Sequence, residues 1–321
     1  MKRAAIAAVA LVLAIDAASC ARAKRPAQPT APEADATLWQ RPVDLAARDL
    51  YDGPWGRDLA PDPDGTYTLV ERKHTGVNLG LTVRDAQGRE WSVKQPYPGG
   101  QDDEAPVEVT LSRILSAIGY HQPPVYYLPA FALEDDWGTH TEAGGRFRLK
   151  HDSLKETGTW RWEENPFIGS KPYEGLLVLM MMFNSTDLKN SNNTLYERKR
   201  GGQVEKWYVV RDIGSALGDT NRIAPRKNHL PSFERHPFIL GVTNGHVELA
   251  HDSWYSKLVR DRTTPADVGW AVNLLGQLSE RQLADAFRAG GYEPAVATRF
   301  IQKLREKIAQ GRAIAGERVG E

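Results

Sequence analysis

The sequence contains very little cysteine, because Cys20 is the only one among its 321 residues. An intramolecular disulfide is therefore excluded in any compartment. Neither charge sign is in excess, since 41 lysines and arginines balance 41 aspartates and glutamates. The composition gives no net positive charge that would attract nucleic acid or acidic lipid, so we expect no nucleic-acid partner.

Common catalytic signatures are also missing. The sequence has no G-x-S-x-G nucleophile elbow, and its eight histidines show no H-E-x-x-H metal spacing. It contains no internal repeat or heptad array.

The N-terminus has an apolar run that is too short for a membrane span, which needs about 20 residues. Two basic residues precede this run at residues 4–15, as in an export signal. Residues 17–20 read A-A-S-C and resemble a bacterial lipoprotein signal, in which Cys20 becomes lipidated. The alternatives are secretion after Ala23 and a buried first helix. We expect a lipoprotein of the bacterial envelope that contacts the membrane only through this anchor.

The segment after the signal predicts a flexible connection. Residues 23–32 are rich in Pro, Ala and Lys. We assign residues 1–20 to the signal and residues 21–50 to a tether and linker. The remaining length is long for one compact core but normal for a two-lobed domain with a cleft.

The first half of the remaining chain predicts mainly β-strands. Segments rich in β-formers alternate with turn residues, and one stretch shows helical spacing before a glycine. The predicted strands cover residues 66–71, 77–84, 89–94, 125–133 and 146–150, and the predicted helix covers residues 105–118.

The second half predicts mostly helices. An apolar helix is expected over residues 173–183, and two strands at residues 193–196 and 206–210 flank a Gly-Gly turn. Residues 279–282 resemble a capping box that opens a helix over residues 283–289. A final helix is expected to begin near Pro294.

Two motifs flank the predicted hairpin. Residues 187–192 read D-L-K-N-S-N, which fits D-x-K-x-x-N, and residues 212–214 read D-I-G, which fits D-x-G. In this order, the chain from about residue 66 to residue 218 resembles the protein-kinase-like superfamily. No A-P-E signature follows residue 218, and Ser185 and Thr186 replace the usual H-R. It therefore resembles secreted Golgi-type and spore-coat kinases more than ordinary eukaryotic kinases.

The resemblance implies an α+β fold with two lobes. Residues 51–165 would form a small β-rich N-lobe with one helix, and residues 166–321 a larger, mostly helical C-lobe. Lys94, at the end of W-S-V-K, matches the strand lysine that holds the α- and β-phosphates. Glu108 would orient Lys94. Glu104 competes for this role but lies in a run that predicts a solvated loop.

The resemblance also assigns roles to the loop residues. Asp187 would act on the acceptor hydroxyl, and Lys189 would touch the γ-phosphate. Asn192 and Asp212 would hold Mg²⁺ or Mn²⁺, with Asn193 as a substitute for Asn192.

Two glycines, Gly76 and Gly80, would cover the phosphates of a bound nucleotide. Each assignment has a plainer alternative. Lys94 and Glu108 could be surface charges, and the glycines a hairpin turn. The two Asp motifs could be a polar loop and a simple turn.

The function expected from this resemblance is ATP-dependent phosphoryl transfer with Mg²⁺ or Mn²⁺. The acceptor would carry a hydroxyl group on a protein, sugar or lipid. One alternative is a catalytically inactive kinase-like binding module at the cell envelope. Another is a nucleotidyl transferase on the same fold.

Overall fold

The computed structural model describes residues 36–73, 80–96 and 103–316. The predicted signal, Cys20 and Gly76 lie outside these ranges. Within them, the expected α+β class is confirmed. No helix in the described part of the chain is long and apolar enough to cross a membrane.

Eleven strands and six α-helices are formed by the described residues. The strands are β1 (Ala36–Thr37), β2 (Thr66–Lys73), β3 (Gly80–Arg84), β4 (Glu90–Lys94), β5 (Val125–Asp135), β6 (Gly138–Leu149), β7 (Leu154–Gly158), β8 (Asn193–Arg200), β9 (Gln203–Val210), β10 (Ile239–Thr243) and β11 (His246–Leu249). The helices are α1 (Glu104–Ala117), α2 (Lys171–Met182), α3 (Leu230–Arg235), α4 (Pro265–Leu275), α5 (Glu280–Ala289) and α6 (Pro294–Gly316).

Five strands close into a barrel in the order β2-β3-β4-β6-β5. Its interior is filled by alternate residues of the strands, among them Tyr67, Trp91 and Phe147. The turn before β4 is fixed by Asp85, whose carboxylate accepts hydrogen bonds from the Arg89 backbone and the Trp91 indole. The barrel therefore fixes the position of Lys94 at the end of β4.

Helix α1 is almost entirely buried. The Asp103 side chain caps it by accepting from the backbone N–H of Ala105. The helix packs on β5 and β6 on one side and on α5 on the other. A helix covered on both sides buries nearly all of its residues, polar ones included. Its first turn thus lies between the barrel and the helical half.

The hairpin predicted after the first Asp motif is confirmed. Strands β8 and β9 pair in register, with Asn193 opposite Val210. The Arg211 backbone N–H donates to the Asn192 carbonyl oxygen at 3.0 Å. This register brings Asn192, before the hairpin, next to the residues that follow it.

The N-terminal part of the described chain packs onto the fold. Strand β1 pairs in parallel with β9, and Leu38 and Leu50 are buried in the large core. From residue 36 onward the chain therefore differs from the flexible tether expected over residues 21–50. This segment packs onto the fold because its two leucines bury apolar surface that a free tether would expose.

Candidate active site

Lys94 joins three separate elements through its ammonium group. Its Nζ lies 2.8 Å from Asp212 Oδ1, 2.6 Å from Glu104 Oε2 and 3.5 Å from Glu108 Oε2. The lysine side chain is only 13% exposed. The structure thus brings the predicted strand lysine, helix glutamate and D-x-G aspartate into one ionic cluster.

Glu104 takes a position that the sequence did not predict. It is the first residue of α1 and buried, so its assignment to a solvated loop is wrong. Its Oε1 contacts Lys227 Nζ at 2.5 Å and accepts from Ser215 Oγ at 3.0 Å. Glu108 lies farther from Lys94 and forms an ion pair with Arg146 Nε at 2.8 Å. Lys94 is therefore shared by both glutamates, and Glu104 is the nearer.

The charges of this cluster stabilise one another. Burial lowers the pKa of Lys94, but Glu108, Asp212 and Glu104 outweigh it and raise that pKa well above its ordinary value. Burial raises the pKa of Glu104, but Lys94 and Lys227 outweigh it and lower that pKa to about 2. Lys94 and Glu104 are therefore charged at neutral pH.

Asp212 has a strained but accessible position. Its backbone is left-handed, with φ of 62°, and its side chain remains 42% exposed. Burial raises the pKa of Asp212, but Lys94 outweighs it and holds the pKa well below the ordinary range. A Cβ at Gly214 would lie 2.6 Å from Glu104 Cβ. The D-x-G pattern thus combines an open carboxylate with a close approach to α1.

The loop before the hairpin exposes one carboxylate and buries one amide. Asp187 Oδ2 lies 2.8 Å from Lys189 Nζ, and both side chains face solvent in part. The buried Asn192 donates through Nδ2 to the Asp187 carbonyl oxygen at 2.8 Å. Its Oδ1 is thereby left as a possible oxygen ligand. Burial lowers the pKa of Lys189, but its bond to Asp187 reverses the shift and raises the pKa.

Two buried bases support this loop from beneath, and neither was predicted from the sequence. His251 Nε2 lies 2.8 Å from the Ser185 carbonyl oxygen. Lys307 of α6 is fully buried, and its Nζ donates to the Met182 carbonyl at 2.8 Å and to Asn184 Oδ1 at 2.9 Å. They fix the carbonyl group of Met182, the last residue of α2, and that of Ser185, two residues before Asp187.

Of the two predicted phosphate-covering glycines, only Gly80 can be placed. Gly76 lies outside the described residues. Gly80 begins β3 and pairs directly with Lys94 across the sheet. A Cβ at Gly80 would lie 3.3 Å from the Lys73 Cβ. Gly80 is therefore next to the predicted phosphate-binding lysine.

A cavity of about 580 Å³ adjoins the cluster and was not predicted. Its lining includes Ser92, two residues before Lys94, and Arg211, directly before Asp212. The Arg211 guanidinium is held by Glu156 Oε1 at 2.5 Å. The cavity is basic, being lined by Lys73, Arg148, Lys150, Lys155, Lys199 and Arg211 against Asp152, Glu156 and Glu197.

Three comparisons with known proteins yield one structural similarity and no match by sequence. No family model matches the sequence, and no curated protein matches it either. A search of solved structures finds a Helicobacter pylori proinflammatory kinase, CtkA, with a TM-score of 0.45 and 10% sequence identity. The match covers 78% of this chain and 98% of that chain.

Proposed function

We propose that this protein is an ATP-dependent phosphotransferase with a two-lobed, kinase-like fold. The observation that carries the proposal is the contact of 2.8 Å between Lys94 Nζ and Asp212 Oδ1, reinforced by two glutamates of α1. Phosphoryl transfer depends mainly on positioning and on neutralising charge. A fixed lysine can neutralise phosphate charge, and an exposed carboxylate beside it can position a metal ion, so the two required effects come from one place.

Each polar side chain of the site would have its own role in the reaction. Lys94 would hold the nucleotide phosphates, and Lys189 would contact the γ-phosphate. Asp187 would orient the acceptor hydroxyl, whose oxygen forms the new bond to the γ-phosphorus. The bond between that phosphorus and the β–γ bridging oxygen breaks, ADP leaves, and the hydroxyl proton passes to Asp187 and then to solvent.

The residues that would hold a metal are Asp212 and Asn192. Among the described residues no group of three or more His, Cys, Asp or Glu could hold a metal ion. This sparse set fits Mg²⁺, which keeps several waters and is commonly bound by one or two carboxylates together with substrate phosphates. Mn²⁺ also favours oxygen ligands. When bound, the metal would neutralise phosphate charge beside Lys94.

Nucleotidyl transfer is the second candidate, and one observation favours it. Among the charged side chains that line the cavity beside Ser92 and Arg211, basic ones outnumber acidic ones by six to three. Basic side chains bind phosphate groups better than they bind an uncharged nucleobase. A nucleotide could therefore bind with the positions of its nucleobase and its phosphates exchanged relative to those in kinases. An acceptor hydroxyl would then attack the α-phosphorus, and pyrophosphate would leave in place of ADP.

The compartment also belongs to this proposal. Residues 17–20 support an exported protein carried on a lipid at Cys20, with secretion as the alternative. The acceptor would be a hydroxyl group of a protein, sugar or lipid in the envelope.

One experiment separates the two reactions. The protein is incubated with Mn²⁺ or Mg²⁺ and with ATP labelled at either the α- or the γ-phosphate, and self-labelling is measured. The proposed phosphotransferase retains only the γ label, whereas a nucleotidyl transferase retains only the α label. Lack of nucleotide binding and of both labels would leave an inactive binding module as the function.

A further inference from the structure

A second cavity, with a volume of about 700 Å³, lies away from the Lys94 cluster. It is formed by residues 51–63, by α1, by the start of β5 and by the turn between α5 and α6. It shares no lining residue with the cavity beside Lys94. Its volume falls within the range of about 300–1,000 Å³ that is usual for small-molecule sites.

Arg113 of α1 is the notable residue of this cavity. It is only 3% exposed, and its Nε donates to the Tyr51 carbonyl oxygen at 3.2 Å. Its guanidinium also stacks on the Tyr126 ring, 4.9 Å from the centroid. Across the described ranges, no carboxylate lies within ion-pair distance of Arg113, and its two Nη atoms make no hydrogen bond.

A buried guanidinium without a counter-ion is energetically unfavourable. Burial lowers the pKa of Arg113 to about 10, although Asp52 and Asp49 partly oppose the shift, so the group stays charged at neutral pH. Gly53 packs directly against this guanidinium, because a Cβ at that position would lie 2.5 Å from Nη1. An anion entering the cavity would supply the missing partner.

The remaining lining limits the kind of anion. Leu128, Pro129 and Tyr126 give the cavity an apolar wall. Arg57 and Arg288 line it together with Asp52 and Asp62, so these four charges balance. Arg113 then leaves a single positive charge, which matches a monoanion. The end of a guanidinium matches a carboxylate through two parallel hydrogen bonds.

We propose that this cavity is a binding site for a small organic monocarboxylate. The carboxylate would pair with the Arg113 Nη atoms, and an apolar ring or chain would rest against Leu128 and Pro129. This proposal is independent of the phosphotransferase function, because it uses none of the residues of the Lys94 cluster.

The test measures the melting temperature of the full chain with increasing benzoate at constant ionic strength. A ligand that binds only the folded state raises this temperature in a saturable way. We expect such a rise for the wild type with benzoate, none with the neutral analogue benzamide, and a smaller rise with phenyl phosphate. The absence of a saturable benzoate effect, or an equal effect of benzamide, overturns the proposal.

Three variants locate the effect. Arg113→Met should abolish the benzoate response and, without ligand, melt at or above the wild-type temperature because an uncompensated buried charge is removed. Lys94→Met and Arg72→Met, an exposed arginine outside the cavity, should keep the response. If Arg113→Met melts well below the wild type, or still responds to benzoate, Arg113 is a structural residue and the proposal is wrong.

Discussion

Lys94 and Asp212 are separated by 118 positions in the sequence, and yet Lys94 Nζ donates to Asp212 Oδ1 at 2.8 Å. One residue ends a barrel strand and the other follows a hairpin in the helical half. A bond between such distant points requires both halves to be correctly folded and packed. The pair is therefore sensitive to the geometry of the whole proposed cleft.

The first prediction concerns nucleotide binding. The chain without residues 1–20 should melt at a higher temperature with ATP and Mg²⁺ or Mn²⁺ together than with either alone. At a concentration a hundredfold above Kd, the free energy of unfolding should rise by about 3 kcal/mol. Thermal melting measures the effect, and Lys94→Met should reduce it strongly. If no nucleotide–metal pair changes the melting temperature at concentrations up to about millimolar, an inactive binding module is favoured.

The second prediction concerns the buried Glu104, which forms ion pairs with Lys94 and Lys227. Glu104→Gln should destabilise the protein by about 3 kcal/mol or more, because it leaves Lys94 and Lys227 short of a buried counter-charge. Urea unfolding gives the free energy. Glu90→Gln is the matched control, since Glu90 pairs with lysine and arginine at the surface and should change stability by less than about 1 kcal/mol. Equal losses in both variants would show that Glu104 has no special role.

The third prediction concerns acid stability. The folded-state pKa of Glu104 is lowered from 4.5 to about 2, so its contribution is complete above pH 4.5 and lost as the pH falls towards 2. The free energy of unfolding should therefore fall as the medium is acidified through this window. In Glu104→Gln the fall should be shallower, because the variant has no proton to take up at this position. Parallel pH profiles for the two proteins would contradict this assignment.

The fourth prediction concerns anchoring. If Cys20 carries lipid, wild-type protein should sediment with membranes, and Cys20→Ala should shift to the soluble fraction. Ala23→Leu is a useful companion variant because it alters the alternative cleavage site and leaves Cys20 intact. Equal solubility of wild type and Cys20→Ala would instead support secretion after Ala23.

Elements with strong local signals could be predicted from the sequence. The hairpin at the Gly-Gly turn, the capping box at Ser279 and the helix from Pro294 are all confirmed. Strand β6 is longer than the strand expected over residues 146–150, because its first half is polar and pairs with β5 instead of entering the core. Helix α4 was missed, although Thr264 and Asp267 form a capping box at its start.

The candidate site could be predicted only in part. The Asp motifs and Lys94 have local patterns, whereas Glu104 reads as a loop residue among other acids. Its burial depends on Lys227 and Ser215, more than 100 positions away. Arg146 and His251 carry no local signal, because their partners are set by tertiary packing. Helical spacing in α6 places Lys307 among apolar residues, and this is the one sequence feature that could have indicated its burial.

The measurement that tests the central claim most directly compares Asp187→Asn with Asp212→Asn. Transfer of the γ-phosphate and nucleotide affinity are determined in parallel on both variants and the wild type. Asp187→Asn keeps the loop shape but loses the carboxylate that we propose orients the acceptor, so transfer should fall by about 100-fold or more while nucleotide affinity is retained. Asp212→Asn loses the proposed metal ligand and the partner of Lys94, so both quantities should fall. Near-wild-type transfer in Asp187→Asn would contradict the proposed catalytic loop.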